Sequence, residues 1–481
     1  MAIGVEVTTS LRSGPSNPGP ISGRLHIAGL TERGPIDRAE LVKSIAQFES
    51  IYGVRTPYAS NVYDSARTFF EEGGSELVVA RAVGPAATTG FLVLKDTADV
   101  NTVRIQGSDP GAHSSSVTVE VVQGAGKYTV TVRKDGVLVG LFRDLVTPGD
   151  LVAAASSNTY IDVTDLGSVT AAPGNQPKTL APTALSAGSD DRAAITAAVV
   201  AAALDNPSAN TRGGAVAAPG YPASTIGTLL IAHAKATGKI ALLSPAEGAT
   251  PEQAALDAEN LIGADGSFAG MFYPHIVIPD GSGTRTLSPE AFVGAVRSRA
   301  HLANGFWQVP AGSRSLPRWI VGTVRIVDRL QNNTLAESQL NGITTIGGKP
   351  RLYGWASLST DTENLGLLSA QDTLNNLGFK VEEALEEFVF TTIDAKGFLL
   401  SRIEAAVTGV IDPIQVAGGF FPLFRDGDQI DPGYKVTVDQ SINTATSMAN
   451  NEVLVSISVR MAPVAALIKA EIIKVALTAS V

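Results

Sequence analysis

The sequence predicts a multidomain protein of the α/β and α+β classes. It should contain a discontinuous α/β core drawn from both chain ends, terminal strand arms, an inserted antiparallel β domain and a doubly wound α/β domain. Three observations carry this. From Asp190 to about Pro350 helical and strand patterns alternate, which implies a parallel sheet with helices on both faces. From 88 to about 188 a two-residue period takes over, the mark of antiparallel strands. With 481 residues the chain is too long for one core and should divide into roughly three domains.

The expected divisions are an N-terminal extended arm (1–22), a first core part (23–87), the β insert (88–188), an α/β domain (189–349), a second core part (350–462) and a C-terminal arm (463–481). In the first arm Ile3, Val5 and Val7 alternate with Gly4 and Glu6, a strand pattern, and residues 10–23 follow as a Gly/Pro/Ser spacer. A strand on such a tether has no local partner. Its natural outlet is an edge on another subunit, and a frayed terminus is the alternative.

In the first core part a strand over 23–30 leads into a turn at 32–35. Val62, Ala66, Phe69 and Phe70 then fall at i, i+4, i+7 and i+8, one apolar stripe on a helix that Ser60 can cap. Gly73-Gly74 stops that helix, and Leu77, Val78, Val79 and Ala80 read as a strand covered on both faces. Arg81 is the lone charge there, better suited to an ion pair than to catalysis.

In the insert Val117, Val119 and Val121 alternate with polar residues, as do Tyr128, Val130 and Val132, and Asp135-Gly136 signals a two-residue hairpin into 137–142. The stretch 171–190 reads as a linker. The α/β domain follows with a helix over 192–204, a strand over 214–218, a helix over 225–237 opened by Ser224 and closed by Gly238, and a strand over 239–243. Thr250-Pro-Glu-Gln253 is a capping box opening a helix to Leu261. A strand over 271–278 and a helix from Ser288-Pro289 to near Gly305 complete it. Residues 365–387 and 393–410 are helical in pattern. Val453, Val455, Ile457 and Val459 alternate as a strand, and Ile473, Val475, Leu477 and Val481 do so again after Pro463.

Composition excludes several function classes. No apolar run reaches the ~18 residues of a bilayer span, and MAIGVEV lacks the regions of a signal peptide. Zero cysteines exclude disulfides and thiolate metal sites. A net charge of −10 argues against unspecific nucleic-acid binding. Aromatics are scarce at 6%, so the cores should be aliphatic and alanine-rich.

The search for chemistry finds nothing. A dinucleotide site needs GxGxxG directly after its first strand, but 214–218 is followed by PGYPAS. Gly281-Ser-Gly283 lacks a third glycine, and Gly347-Gly348-Lys349-Pro350 has proline where magnesium would need a hydroxyl. His26, His113, His233, His275 and His301 stand singly, and no GxSxG elbow occurs. Asp426, Asp428 and Asp431 lack the calcium-loop spacing. Glu382, Glu383, Glu386 and Glu387 make a solvated helix face or an acidic docking surface for a basic partner strip. The expectation is no enzyme, no catalytic or metal residue and no cofactor.

Collinear short motifs nevertheless resemble one family. They begin with Gly4-Val5 and the run Gly29 to Pro35, continue with Ser44, Phe48, Tyr52 and Gly53, and include Phe69-Phe70-Glu71-Glu72-Gly73-Gly74. Further on come Tyr273-Pro274, Ser288-Pro289, Gly294, Arg299 and the run Gly305-Phe306-Trp307-Gln308-Val309-Pro310-Ala311-Gly312. Leu340-Asn341-Gly342-Ile343, Tyr353-Gly354-Trp355-Ala356-Ser357-Leu358 and Asp439 with Asn443-Thr444 complete the series. In this order they resemble the contractile tail sheath proteins of bacteriophages, a family related to the sheaths of contractile injection systems. The β insert matches poorly. Departures are His275 where relatives often carry tryptophan, the inverted Ser288-Pro289 order and an Asn/Thr-rich loop at 331–337.

The resemblance implies a structural subunit that polymerises as stacked, hexameric rings in a helical tube around a rigid tail tube. It implies a metastable extended state whose contraction drives the tube through the bacterial envelope during genome delivery. Partners would be further copies of the chain, the tail tube protein, and the baseplate and tail terminator proteins, with no direct nucleic-acid binding and no membrane insertion. The location would be the virion tail, assembled in the host bacterial cytoplasm. Under this reading Ile3, Val5, Val7, Ile473, Val475 and Leu477 carry inter-subunit strand pairing. Val62, Ala66, Phe69, Phe70, Gly73, Gly74, Trp307 and Trp355 pack the core. A phage-tail-like bacteriocin or injection particle remains open, as does, in a different class, a nucleotide-independent α/β enzyme or an adhesin.

Overall fold

The computed structural model describes residues 21–208, 212–394, 396–466 and 468. These fall into two compact units: one reaches to Phe306 and includes Pro310–Asp372, and the other joins Trp307–Val309 to the residues from Thr373 onward. The expected arm strands at Ile3, Val5, Val7, Ile473, Val475 and Leu477 lie outside the described residues.

The first unit is built on an eight-stranded sheet. Across it the strands run Lys349–Leu352, Leu340–Ile346, Ala269–Tyr273, Ile240–Leu243, Ala215–Ala217, Leu25–Gly29, Leu77–Arg81 and Glu40–Val42. The inner strands are parallel, and the strand at each edge pairs antiparallel. Every residue of Leu25–Gly29, Leu77–Arg81, Ile240–Leu243 and Ala269–Tyr273 is buried, as a sheet covered on both faces requires. Helices Ser60–Glu71 and Glu290–Asn304 cover one face, where Val62 closes on Gly29 and Gly294 on Leu25. On the other face Ala28, Val78, Val216, Ala241 and Met271 pack with Val200, Ile226, Leu230, Ala254 and Leu335 of four further helices. The sheet is therefore doubly wound, as expected.

Its membership differs from the expected division. Strands from both 23–87 and 189–349 lie in this one sheet, so those stretches are not separate domains. The stretch 350–462 does not return as a whole to the first core, because from Thr373 it belongs to the second unit. Periodicity marks a strand but does not say which strand it pairs with.

The β insert has a four-stranded antiparallel sheet, ordered Leu180–Ala184, Val117–Gln123, Tyr128–Lys134 and Val137–Leu145. A three-stranded sheet of Phe91–Lys95, Asn101–Gly107 and Ile161–Asp165 shares its core, with Leu94, Val103 and Ile105 packed among Val119, Val121 and Val130. Asp135 and Gly136 both have positive φ, 52° and 81°, and turn the hairpin where expected. The expected linker 171–190 instead contains the edge strand Leu180–Ala184. An edge tolerates Pro182 because one side of such a strand bonds to no neighbour.

Other differences are local. Ser60 lies inside its helix and Ala59 takes the N-cap position, because a 3₁₀ turn at Pro57–Ala59 runs straight into it. The helix expected over 192–204 is a 3₁₀ turn followed by Ala197–Ala203, with Thr196 as the capping side chain. The strand expected over 271–278 is two strands, Ala269–Tyr273 and Ile276–Asp280, since Pro274 has no N–H to continue the ladder. The expected loop 331–337 belongs to helix Arg329–Glu337, opened by an Asp328–Gln331 capping box.

The second unit holds most of helix Leu368–Leu385, helix Phe398–Val416 and two antiparallel pairs, Leu423–Arg425 with Asp428–Asp431 and Tyr434–Thr437 with Ser456–Val459. Phe398–Val416 begins later than expected because the Asp394 carboxylate accepts the N–H groups of Phe398 and Leu399. The core of this unit is small: Phe388, Leu399, Leu400, Ile403 and Val438.

Candidate functional site: the braces of the first unit

Val62, Ala66 and Phe69 are buried along one stripe of their helix. Phe70 is half-buried and meets Phe69 edge-on at 5.5 Å. Gly73 and Gly74 end the helix, their amides bonding to the carbonyls of Phe70 and Phe69 at 2.9 and 2.8 Å. Trp355 is buried with its ring 5.6 Å from that of Phe272. Trp307 is half-buried in the second unit, against Gly419.

Around this packing the first unit sets several fully buried charges. Arg81 ends its strand with the guanidinium out of solvent. It donates to the carbonyls of Gly34 at 3.0 Å and Pro110 at 2.8 Å, and to Asp190 Oδ1 at 2.9 Å. Burial lowers its pKa, and Asp190 is the largest influence opposing that shift. The other oxygen of Asp190 accepts from Arg192 at 2.9 Å. Asp190 follows the insert and Pro110 lies within it, so this network clamps the base of the insert to the sheet. Backbone bonds between Thr88 and Ser189, at 2.8 and 2.9 Å, close the same junction. Lys134 in the insert hairpin adds an ion pair to Glu32 at 2.7 Å, and the Arg33 guanidinium lies 4.1 Å from the Tyr160 ring centre.

Glu72 is the second brace. Its carboxylate is completely buried and accepts the backbone N–H groups of Arg318, Trp319 and Ile320 at 2.8–3.1 Å. A carboxylate meeting several backbone donors is a strong acceptor cluster, and here it pins a loop that follows the Glu290–Asn304 helix. Arg297 and Asp372 form a third, two-pronged pair at 2.7 and 2.5 Å, both side chains essentially unexposed. His301 lies 3.6 Å from the same carboxylate, and burial followed by the Arg297 charge holds its pKa well below the usual value. Arg24 and Glu76 form a further buried pair, in which Nε and Nη2 both donate to Oε2, at 3.1 and 2.7 Å.

His113, His275 and His301 lie apart from one another, while His26 and His233 line one cavity with Asp205 and Lys239. His26 meets the Gly213 carbonyl at 3.1 Å, and His233 meets Asp205 at 2.9 Å. Among the described residues no group of three His, Cys, Asp or Glu side chains could hold a metal, and no helix is long and apolar enough to cross a membrane. A cavity of about 110 Å³ lies where the chain leaves Ala215–Ala217, Ile240–Leu243 and Ala269–Tyr273, the position at which α/β folds often bind ligands. Asn61, Tyr221, Glu247, His275 and Ser288 are among its lining residues, and no lysine or arginine lines it among the described residues. The Asp426–Asp431 cluster is the end of a hairpin, in which Asp431 pairs with Arg460 at 2.9 Å. What the arrangement can do is mechanical: it holds sheet, insert and loops as one body.

Sequence reasoning expected the ion pair of Arg81 but not its partner, and it missed Glu72, Asp190 and Lys134. The only signal for Glu72 was its place in the Phe69–Gly74 motif.

No family model matches the sequence, and no curated protein matches it either. Solved structures do. A sheath tail protein from Listeria innocua aligns with a TM-score of 0.62 at 12% identity, covering 87% of this chain and 89% of that one. A sheath tail protein from Desulfitobacterium hafniense aligns at 0.57 and 13%, covering 91% and 94%. A chain of the sheath complex of an extracellular contractile injection system, in its contracted state, aligns at 0.56 and 12%, covering 98% and 99%. The structural neighbours of this chain are contractile sheath proteins, and it shares their fold over nearly its whole length.

Proposed function

We propose that this chain is the sheath subunit of a contractile bacteriophage tail. The observation that carries the proposal is a fold shared end to end with sheath subunits, including one solved in a contracted assembly. Copies would stack as six-membered rings around the tail tube, between baseplate and terminator, in an extended state of higher free energy. Contraction needs no nucleotide, because two packings of the same rigid bodies differ in free energy and assembly stores the difference. Buried braces suit that task. A subunit that slides past its neighbours must transmit force without yielding internally, and Arg81, Glu72 and Arg297 each tie together segments far apart in sequence. Under this proposal the arm residues Ile3, Val5, Val7, Ile473, Val475 and Leu477 add strands to neighbouring copies while the bodies move.

Negative-stain microscopy of the purified chain tests this. Long, hollow, striated tubes are the expected result, and removal of residues 1–8 should abolish them without changing the circular dichroism spectrum. Monodisperse monomers at high concentration across a range of salt would count against the sheath reading. Tubes from the truncated chain would remove the role of the first arm.

A second reading has its own support, since similar chains come from the anti-feeding prophage and from an extracellular contractile injection system. In that case the sheath would belong to a headless injection particle. Micrographs of the native particle decide by the presence or absence of a DNA-filled head.

A further inference from the structure

We propose that two surfaces of this chain, an arginine–aliphatic strip on the first unit and an acidic, phenylalanine-tipped helix end on the second, dock onto each other between copies. The proposal rests on the self-assembly that the sheath reading supposes, and not on contraction.

The strip follows the loop that Glu72 pins. Val321, Val324, Ile326 and Leu330 are all exposed, Ile326 at 71% and Leu330 at 75%. Isolated exposed aliphatics are ordinary, but four within ten residues make a patch of the kind that marks an interface. The backbone beneath them is held: the amides of Val321 and Val324 donate to the carbonyls of Val277 and His275, each at 3.0 Å. Arg325 and Arg329 stand among these aliphatics, both exposed, and among the described residues neither has a carboxylate within ion-pairing distance.

The complementary surface lies where helix Leu368–Leu385 passes into the 3₁₀ turn Glu386–Phe388. Glu383, Glu386 and Glu387 are exposed and, among the described residues, unpaired. Beyond them Val389 is exposed and Phe390 is fully so, at 103%. Phe390 also has φ of 63°, a region that a bulky side chain enters at a cost. An aromatic so exposed buries little surface within its own unit. Strain of this kind collects where a surface is shaped for contact.

Charge selects a second copy as the occupant. Each chain carries a net charge of −10, so copies repel at long range and must meet through local opposite charge. The strip offers arginines around aliphatics, and the helix end offers glutamates around an aromatic. One surface supplies what the other lacks. Because the two patches differ, each copy can offer one to a neighbour and receive the other from a second neighbour, which lets the contact run head-to-tail through a ring or a helical assembly.

The test uses the full chain and two charge-reversed variants, R325E/R329E and E386R/E387R, read by sedimentation velocity at low and high salt. Wild type is expected to associate at low salt and to weaken as salt rises. Each variant alone should need at least tenfold more protein to associate. An equimolar mixture of the two should recover association, because each then offers the sign that the other presents. Circular dichroism and thermal unfolding should match wild type. If a charge-reversed chain misfolds, Ile326→Ser and Phe390→Ser, at exposed positions, replace it and should each weaken association. Variants that associate like wild type overturn the proposal, as does a wild type that never associates. If the mixture stays dissociated while all four substitutions in one chain restore association, the contact lies within a copy and the proposal fails. Association without tubes would sink the sheath reading and leave this one to be judged by the same mixture.

Discussion

Arg81 closes a strand whose other side chains are apolar, and its two terminal nitrogens meet the carbonyls of Gly34 and Pro110 and the carboxylate of Asp190, while its buried Nε has no partner among the described residues. A buried pair of this kind adds little net stability over an apolar substitute. What it adds is geometry, because three acceptors far apart in sequence must converge before the charge is satisfied. His113 sits in the same neighbourhood, and burial, then the charges of Arg81, Lys134 and Arg33, push its pKa down to about 3. In the unfolded chain it takes up a proton near pH 6.5, whereas in the fold it stays neutral to about pH 3. Between those values the unfolded state holds the extra proton, so stability falls as pH falls. From pH 7.5 to 5.5 this single group costs about 1.4 kcal/mol. His113→Gln should remove that share of the pH dependence, read as the change between the two pH values in the urea-unfolding free energy of the first unit's transition. An identical drop in variant and parent would mean that His113 titrates alike in both states.

At the scale of elements, the Phe69–Gly74 stop shows how a local signal becomes a packing constraint. Gly73 has φ of 88°, which glycine adopts without strain. Gly74 is held for another reason: a Cβ there would lie 2.4 Å from the ring of fully buried Phe69. Gly74→Ala should therefore destabilise the first unit by about 1–3 kcal/mol through overpacking. Phe69→Leu in the same chain should relieve part of that, so the two substitutions should cost less together than their sum. Strict additivity in a double-mutant cycle would show that the ring is not what excludes the methyl group. Several signals contained within a few residues were legible in this way, although the helix starts expected at Ser60 and Ser224 fall inside their helices. The Thr250–Gln253 capping box, the Asp135-Gly136 hairpin and the αL cap at Gly238 all stand where the sequence places them. Signals that depend on distant partners were not. Asp190 lies 109 residues from Arg81, and the amides that meet Glu72 lie at least 246 residues beyond it. The same limit hid the sharing of one sheet by 23–87 and 189–349, because that sharing rests on Leu25–Gly29 pairing with Ala215–Ala217, about 190 residues away. Leu180–Ala184 passed for linker because an edge strand needs half the backbone donors of an inner one.

At the scale of the whole molecule, the two units differ in how much apolar surface they enclose. The first buries an eight-stranded sheet on both faces and a second core within the insert. The second relies on a cluster centred on Phe388, Leu399, Leu400, Ile403 and Val438, with partly buried Val453 and Val455 around it. Cooperative unfolding follows contiguous, well-tied cores, and the Arg81–Asp190 brace joins the insert core to the sheet, so the chain should unfold as two units and not as one two-state system. Calorimetry of dilute, unassembled chain should resolve two transitions, the lower belonging to the second unit. Ile403→Ala empties part of the small core, and a deletion of that size typically costs about 2–5 kcal/mol. It should lower the first transition and leave the second in place. Val216→Ala, in the large sheet, should do the reverse. Were both substitutions to shift one shared transition, the units would be coupled as a single cooperative body. If the chain is the sheath subunit proposed above, the work of contraction would then be spread across the whole subunit instead of being borne chiefly by the braced first unit.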